Sequence, residues 1–468
     1  SSYLIQKYII YPMKNILIIG AGKSSSALIK YLLDTSEKEN LFLTIGDIST
    51  ENAHKLINNH KNATAIVLDV FDKKQREEQI QKADLVISML PARFHVDVAK
   101  DCIVFGKHMV TASYVSDEMK ALDEKVKEKG LIFMNEIGLD PGIDHMSAMQ
   151  VIDRIKNAGG KMLLFESFCG GIVAPESDNN LWNYKFTWNP RNVVLAGQGG
   201  AAMFIQEGTY KYIPYHKLFK RSEFLEVTGN GKFEAIANRD SLKYRSVYGL
   251  DDIPTMYRGT IRKVGFSRAW NIFVQLGMTD DSYTIEESEN MSYRDFINLF
   301  LAYSPSDSVE LKLRSYLKID QDDVMWEKLV ELDIFNPNKK ISLKNATPAQ
   351  MLQSILEESW TLNENDKDMI VMQHLFGYEL NGERFQIESS FVVLGENQTY
   401  TAMSKTVGLP VGIAAVNILK GKIKTPGVQI PISKEVYEPI LKELENYGIK
   451  FTEKEVPYTG YNPNNVNK

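Results

Sequence analysis

A chain of 468 residues exceeds what one hydrophobic core supports, so two or three domains are expected. Its 44% apolar and 24% charged residues describe a globular protein and exclude a disordered one. The net charge of -6 gives no chain-wide basic field, against nucleic-acid or anionic-membrane binding, and two cysteines form no disulfide framework, which points to a reducing, cytoplasmic setting.

The opening segment, Ser1 to Pro12 (SSYLIQKYIIYP), is too short to span a bilayer and lacks the Arg-rich character of a transit peptide. It reads as an extension ahead of Met13 that need not be native. No later run reaches the roughly 18 uninterrupted apolar residues of a membrane helix, so a soluble protein is expected.

From Lys14 to Gly138, short β-rich runs alternate with amphipathic stretches, the pattern of a parallel sheet covered by helices. Strands are expected at Asn15 to Ile19, Leu41 to Ile45, Ala65 to Leu68, Asp84 to Met89, His108 to Ala112 and Leu131 to Asn135. Such a set suits a complete Rossmann-type dinucleotide fold. The stretch Asp117 to Lys129 has helical spacing, with Ser116 as its N-cap and Gly130 as its stop.

After Gly160 the character changes. Lys161 to Cys169, Val193 to Leu195, Phe224 to Val227 and Thr260 to Arg262 read as strands between turns, without regular helices among them. Tyr293 to Tyr303 and Pro348 to Ser359 read as helices, and strands return at Met369 to Gln373 and Ser389 to Leu394. Ala402 to Gly421 is a small-residue apolar helix containing Pro410 that is expected to return to the first domain. The expected α/β architecture is therefore a dinucleotide domain at 13–139 with about 401–427, a β-rich domain at about 140–285 with 366–400, and an inserted helical domain at about 286–365.

Gly20 and Gly22 lie between a strand and a helix, where glycines allow close approach of a pyrophosphate to helix N–H groups. Lys23 and Ser24 open that helix and join the candidate contacts, while Ser25 replaces the usual third glycine. Asp47 ends the second strand, where a carboxylate accepts hydrogen bonds from the adenine ribose hydroxyls and repels a 2'-phosphate. Ser88, Leu90 and Pro91 (within SMLP) and Ser113-Tyr114 end the fourth and fifth strands, either as ligand contacts or as plain strand-end turns.

Asn135 to His145 (NEIGLDPGIDH) follows the sixth strand and offers Ile137, Gly138, Leu139 and Asp140. Asp140 ahead of Pro141 is an N-cap or a site residue. Cys169, at the end of its strand, is a core residue or a reactive thiol. Arg239 (NRDSLKY) and Arg258 (RGT) sit in loop-like sequence and suit either surface ion pairs or a polycarboxylate ligand. His95 and His145 read as satisfied or solvated histidines; no metal-ligand spacing and no G-x-S-x-G elbow occurs.

Taken in order, the blocks LVISMLP, MVTASY, NEIGLDPGIDHM, FCGG with APE, YKFTW, NRDSLKY, RGT, DMIVMQH and AMSKTVGLPVGIAA carry a resemblance from about Lys14 to about Val456. The chain is similar to glutamate-forming saccharopine dehydrogenases: the fungal saccharopine reductases and, more closely, the dehydrogenase half of animal aminoadipic semialdehyde synthase. The resemblance implies an enzyme of lysine metabolism, with substrate contacts at Ser113, Tyr114, Asp140, Trp188, Arg239, Arg258, Gly259 and Thr260. Tyr114, Asp140 and Cys169 are the implied candidates for proton handling.

Fungal members usually carry a basic residue after the second strand for NADP, whereas Asp47 stands here, so NAD is the expected cofactor. Ala92 replaces the fungal tyrosine after the fourth-strand block. Saccharopine oxidation next to its secondary amine gives an imine, which water opens to L-glutamate and 2-aminoadipate 6-semialdehyde. A homodimer and a lysine-ketoglutarate reductase partner are compatible expectations. The competing readings are an NADP-dependent biosynthetic reductase, a carboxynorspermidine dehydrogenase-like enzyme, and a non-catalytic NAD-binding regulator.

Overall fold

In the computed structural model residues 12–466 are described, so all of the opening segment except Pro12 lies outside them. The chain divides into two compact units, one running through residue 151 and resuming at Met403–Lys450, the other covering Ile152–Ala402 and the residues after 450.

Strands are numbered in chain order. The first unit contains β1 (Lys14–Ile19), β2 (Leu41–Asp47), β3 (Ala63–Val67), β4 (Leu85–Ser88), β5 (His108–Val110) and β6 (Ile132–Met134). All pair in parallel in the order 6-5-4-1-2-3, and a further strand, β15 (Gly427–Gln429), extends the sheet beside β6.

Leu17, Ile19, Val86, Met109 and Phe133 pack with Ile80, Val98, Cys102 and Val126 on one face. Their neighbours Ile16, Ile18, Ile87, Val110 and Met134 are buried as well, on the other. A sheet covered on both faces explains why its strands read as unbroken apolar runs. Asp117 to Lys129 forms two short helices, Asp117–Lys120 and Asp123–Glu128, with Ser116 capping the first at Met119 N (3.1 Å).

The apolar helix Ala402–Leu419 continues through Pro410. By length and composition it could cross a membrane, but 78% of it is buried within the protein, as in a core helix. Ser404, near its start, accepts from Ala27 N at 3.0 Å, satisfying an amide in the first turn of the helix Ser26–Glu39.

In the second unit, β7 (Lys161–Val173), β8 (Ala202–Gln206), β9 (Thr209–Ile213), β10 (Glu223–Val227), β11 (Gly231–Ala237), β12 (Thr255–Arg262), β13 (Asp368–Leu380), β14 (Glu383–Leu394) and β16 (Thr452–Val456) form a mixed sheet. Its central pair, β12 and β7, is parallel, and β13 flanks β7 antiparallel.

Three expectations are corrected here. Val193 to Leu195 belongs to a helix, Pro190–Leu195, because Asn189 caps Arg191 N and Pro190 occupies the first turn, signals that outweigh the β-branched pair. A regular helix, Phe266–Leu276, sits among the strands, with Phe266, Ala269, Trp270 and Phe273 on its buried face and Gly277 at its end. The helical stretch is not separately cored: Trp326, Leu329, Leu352 and Trp360 join Trp182, Phe266, Trp270 and Phe273 in one cluster with the sheet. The rings of Trp182 and Trp360 meet edge-on at 5.2 Å.

Candidate active site

The loop after β1 begins at Gly20, whose φ of +98° would strain any other residue and where an added Cβ would lie a tight 3.3 Å from the Met89 carbonyl carbon. Gly22 faces open space, with nothing within 4 Å of an added Cβ. Lys23 and Ser24 are exposed, and the helix Ser26–Glu39 starts immediately after. Open backbone at a helix N-terminus fits a dinucleotide pyrophosphate.

Asp47 at the end of β2 accepts from Ala21 N through Oδ2 and from Ile48 N through Oδ1, both at 2.7 Å. Asn52 Nδ2 donates to Ala21 O at 2.6 Å. The glycine loop is thus held at Ala21 from both sides. A carboxylate has about four acceptor sites, so Asp47 retains capacity for ribose hydroxyls. Asn52 was missed, and nothing local in the sequence distinguishes it.

Ser88 closes β4 and is buried, while Leu90 is partly exposed and Pro91 exposed. Ser88 Oγ lies 2.8 Å from His95 Nδ1. On its other side, His95 Nε2 lies 2.8 Å from Ser113 Oγ and 3.1 Å from Thr111 Oγ1. Burial pushes the imidazole pKa down to about 4, so the ring is neutral near pH 7. His95 is a satisfied histidine that ties three strand-end hydroxyls together.

Tyr114 is 46% exposed. Its neighbours are clamped by Glu136: Glu136 N donates to Ser113 O at 3.0 Å, and Val115 N donates to Glu136 Oε2 at 3.1 Å. Glu136 Oε1 in turn meets His145 Nε2 at 2.9 Å in a nearly water-free setting. Glu136 and His145 are therefore structural supports of the Ser113-Tyr114 segment that sequence reasoning did not assign.

Ile137, Gly138 and Leu139 are buried and Asp140 is partly exposed. The helix begins at Ile143, so Asp140 does not stand at its N-cap position. Asp144 Oδ1 accepts from Gly142 N (2.7 Å) and His145 N (2.8 Å) instead. Gly142 has φ +146°, and an added Cβ would fall 2.0 Å from Gly138 O, so the two glycines pack backbone to backbone.

In the second unit, register places Cys169 beside Thr260 on β12 and Met372 on β13. Cys169 is 7% exposed and lies inside β7 rather than at its end, because the strand runs on to Val173. Thr260 Oγ1 donates to Asn238 Oδ1 at 2.8 Å. Gly259 has Ala235 Cβ and Ile236 O 3.2 Å from an added Cβ, so a side chain there would crowd β11.

Arg258 is a strand residue, 3% exposed, with its guanidinium 3.9 Å from the Tyr244 ring centre. Arg239 Nη2 donates to Ala196 O (2.7 Å) and Gln198 O (2.6 Å), and burial lowers its pKa. Among the described residues no carboxylate pairs with Arg239, so its charge is available to an anionic ligand. Trp188 is 43% exposed. No His, Cys, Asp or Glu grouping suited to a metal occurs among the described residues.

Two family models match the chain: the saccharopine dehydrogenase NADP binding domain over residues 16–134, and the saccharopine dehydrogenase C-terminal domain over 138–449. Saccharopine dehydrogenase [NADP(+), L-glutamate-forming] of Schizosaccharomyces pombe is 34% identical over 94% of this chain and 99% of its own length. Mitochondrial alpha-aminoadipic semialdehyde synthase of Rattus norvegicus is 32% identical over 94% of this chain, which spans 47% of that protein. The apo structure of saccharopine dehydrogenase (L-Glu forming) from Saccharomyces cerevisiae superposes with a TM-score of 0.86 at 32% identity, covering 95% of this chain and 100% of that one.

Proposed function

Because the chain belongs to the saccharopine dehydrogenase family, we propose that it oxidises saccharopine with NAD and water to L-glutamate and 2-aminoadipate 6-semialdehyde. The reading is carried by likeness over nearly the full length to L-glutamate-forming relatives. The cofactor, when bound, supplies the hydride acceptor.

The open backbone at Gly22 and the helix start behind it suit the pyrophosphate. Asp47 favours NAD over NADP through its charge beside the glycine loop. The fungal relatives carry NADP(+) in their names, and for this chain NADP is the second reading.

Arg239, whose described partners are backbone carbonyls, and Arg258 suit the substrate carboxylates. Fixed contacts of this kind orient the carbon that loses hydride. Tyr114, Asp140 and Cys169 are the groups that suit accepting the amine proton and assisting water.

Product identification tests the reaction. Saccharopine incubated with the enzyme and NAD should release glutamate and a semialdehyde trapped by an aminobenzaldehyde reagent. Release of lysine and 2-oxoglutarate instead would refute the assigned bond cleavage.

A further inference from the structure

Three hydroxyls at two strand ends of the first unit converge on one imidazole. Ser88 is the last residue of β4, Thr111 follows β5 directly, and Ser113 lies two residues further on. His95 begins the helix His95–Phe105 and is 3% exposed. Its two ring nitrogens face different strand ends: Nδ1 meets Ser88, and Nε2 meets Ser113 and Thr111.

A neutral imidazole carries one proton on one nitrogen, so it donates on one side and accepts on the other. Its tautomer therefore dictates what Ser113 does. If Nε2 accepts, the nearer of its two hydroxyl partners, Ser113 at 2.8 Å against Thr111 at 3.1 Å, is the favoured donor, and Ser113 Oγ then offers lone pairs to a ligand. If Nε2–H donates, the Ser113 hydroxyl proton is left for a ligand acceptor. Ser113 N also donates to Thr111 Oγ1 at 3.3 Å, so the backbone of Ser113 is tied to the same centre.

We propose that His95 is a positioning residue of the saccharopine reaction, fixing the orientation and hydrogen-bonding sense of Ser113 at the carboxyl end of β5. The inference rests on the functional reading above, in that Ser113 is taken to face the substrate. It gives His95 no proton-transfer step. Burial holds the ring near pKa 4, so it does not titrate across the pH range of an assay, and its influence passes through Ser113.

Two substitutions separate the sides of the ring. His95→Asn leaves an amide near the Nδ1 position for Ser88 and abandons Ser113. His95→Gln reaches the Nε2 position and keeps a partner for Ser113. For each folded variant, kcat/KM for saccharopine, its pH profile, and the Kd of NADH from fluorescence would be measured, with Ser113→Ala as reference.

Ser113→Ala and His95→Asn should each lower kcat/KM for saccharopine about tenfold, the scale of one lost hydrogen bond. The double variant should be no worse than Ser113→Ala alone, because both act through one contact. His95→Gln should recover most of the loss. NADH affinity should stay within about twofold, and the pH limbs should not move.

Multiplied losses in the double variant, a His95→Asn enzyme with unchanged kinetics, or loss of one pH limb would overturn the proposal. Nitrogen-15 spectra of the histidines give a readout apart from turnover. Ser113→Ala should move the Nε2 resonance of His95 and leave Nδ1 in place; an unmoved Nε2 overturns the inference. A wild type that binds NADH but leaves saccharopine untouched would refute the functional reading instead, and the spectra would still decide whether His95 holds Ser113.

Discussion

Replacing Asp47 with asparagine removes one negative charge while keeping the side chain's shape and an oxygen able to accept from a backbone N–H. In the structure the two carboxylate oxygens hold Ala21 N and Ile48 N at 2.7 Å, so the group is fixed beside the glycine loop. A cofactor 2'-phosphate carries about two negative charges at neutral pH. At about 4 Å each unit-charge pair costs about 1 kcal/mol in water and about 4 kcal/mol at an effective dielectric of 20. Asp47 is partly exposed, so the aqueous value is the safer floor. Two pairs at that floor give about 2 kcal/mol, or roughly a 30-fold preference for NAD. Asp47→Asn should erase most of that factor in the ratio of kcat/KM values for NAD and NADP, measured at fixed saturating saccharopine and low salt. An unchanged ratio would mean that Asp47 does not meet the ribose, and the reasoning fails.

Arg239→Ala should raise KM for saccharopine at least tenfold with the Kd of NADH unchanged, since a hydrogen bond to a charged group contributes about 1.5–3 kcal/mol; normal saccharopine kinetics would remove it from the site. Asp140→Asn should lower kcat roughly 100-fold with little change in Tm, because asparagine keeps the side chain's shape and an acceptor oxygen; a silent substitution would leave it without a catalytic part. Burial, followed by the charges of Glu223 and Glu207, pushes Glu166 up to about 8, so the folded protein keeps a proton there that an ordinary glutamate releases near 4.5. Its contribution to stability is therefore present below pH 4.5 and lost as pH rises to about 8, then constant. Urea midpoints of Glu166→Gln relative to wild type should accordingly climb between pH 5 and 8; a flat difference would refute the shift.

The nucleotide-binding unit was legible because each buried parallel strand is a short apolar run with a turn signal after it, and β1, β2 and β4 fall within a residue or two of expectation. β15 was not legible, since the three residues Gly-Val-Gln carry no periodicity and pair only through β6. The Phe266–Leu276 helix carries helical spacing and a terminal glycine, but it follows closely on the strand-like run Thr260 to Arg262, whose signal masks its start. The site divides similarly. Gly20, Gly22 and Asp47 announce themselves by position after strands, whereas Asn52, His95 and Glu136 matter through contacts to residues 7 to 31 positions away that no local pattern encodes. Arg258 looked like a loop residue because Gly259 and Pro254 flank it; the sheet absorbs it under Tyr244.

The central claim is best tested by initial rates at the reduced-nicotinamide absorbance band, with purified protein, saccharopine, and either NAD or NADP. Turnover with both is compatible with the family, and the account predicts a kcat/KM for NAD that exceeds that for NADP. Absence of turnover with either cofactor, under conditions where NADH binds, would contradict the assignment of the reaction.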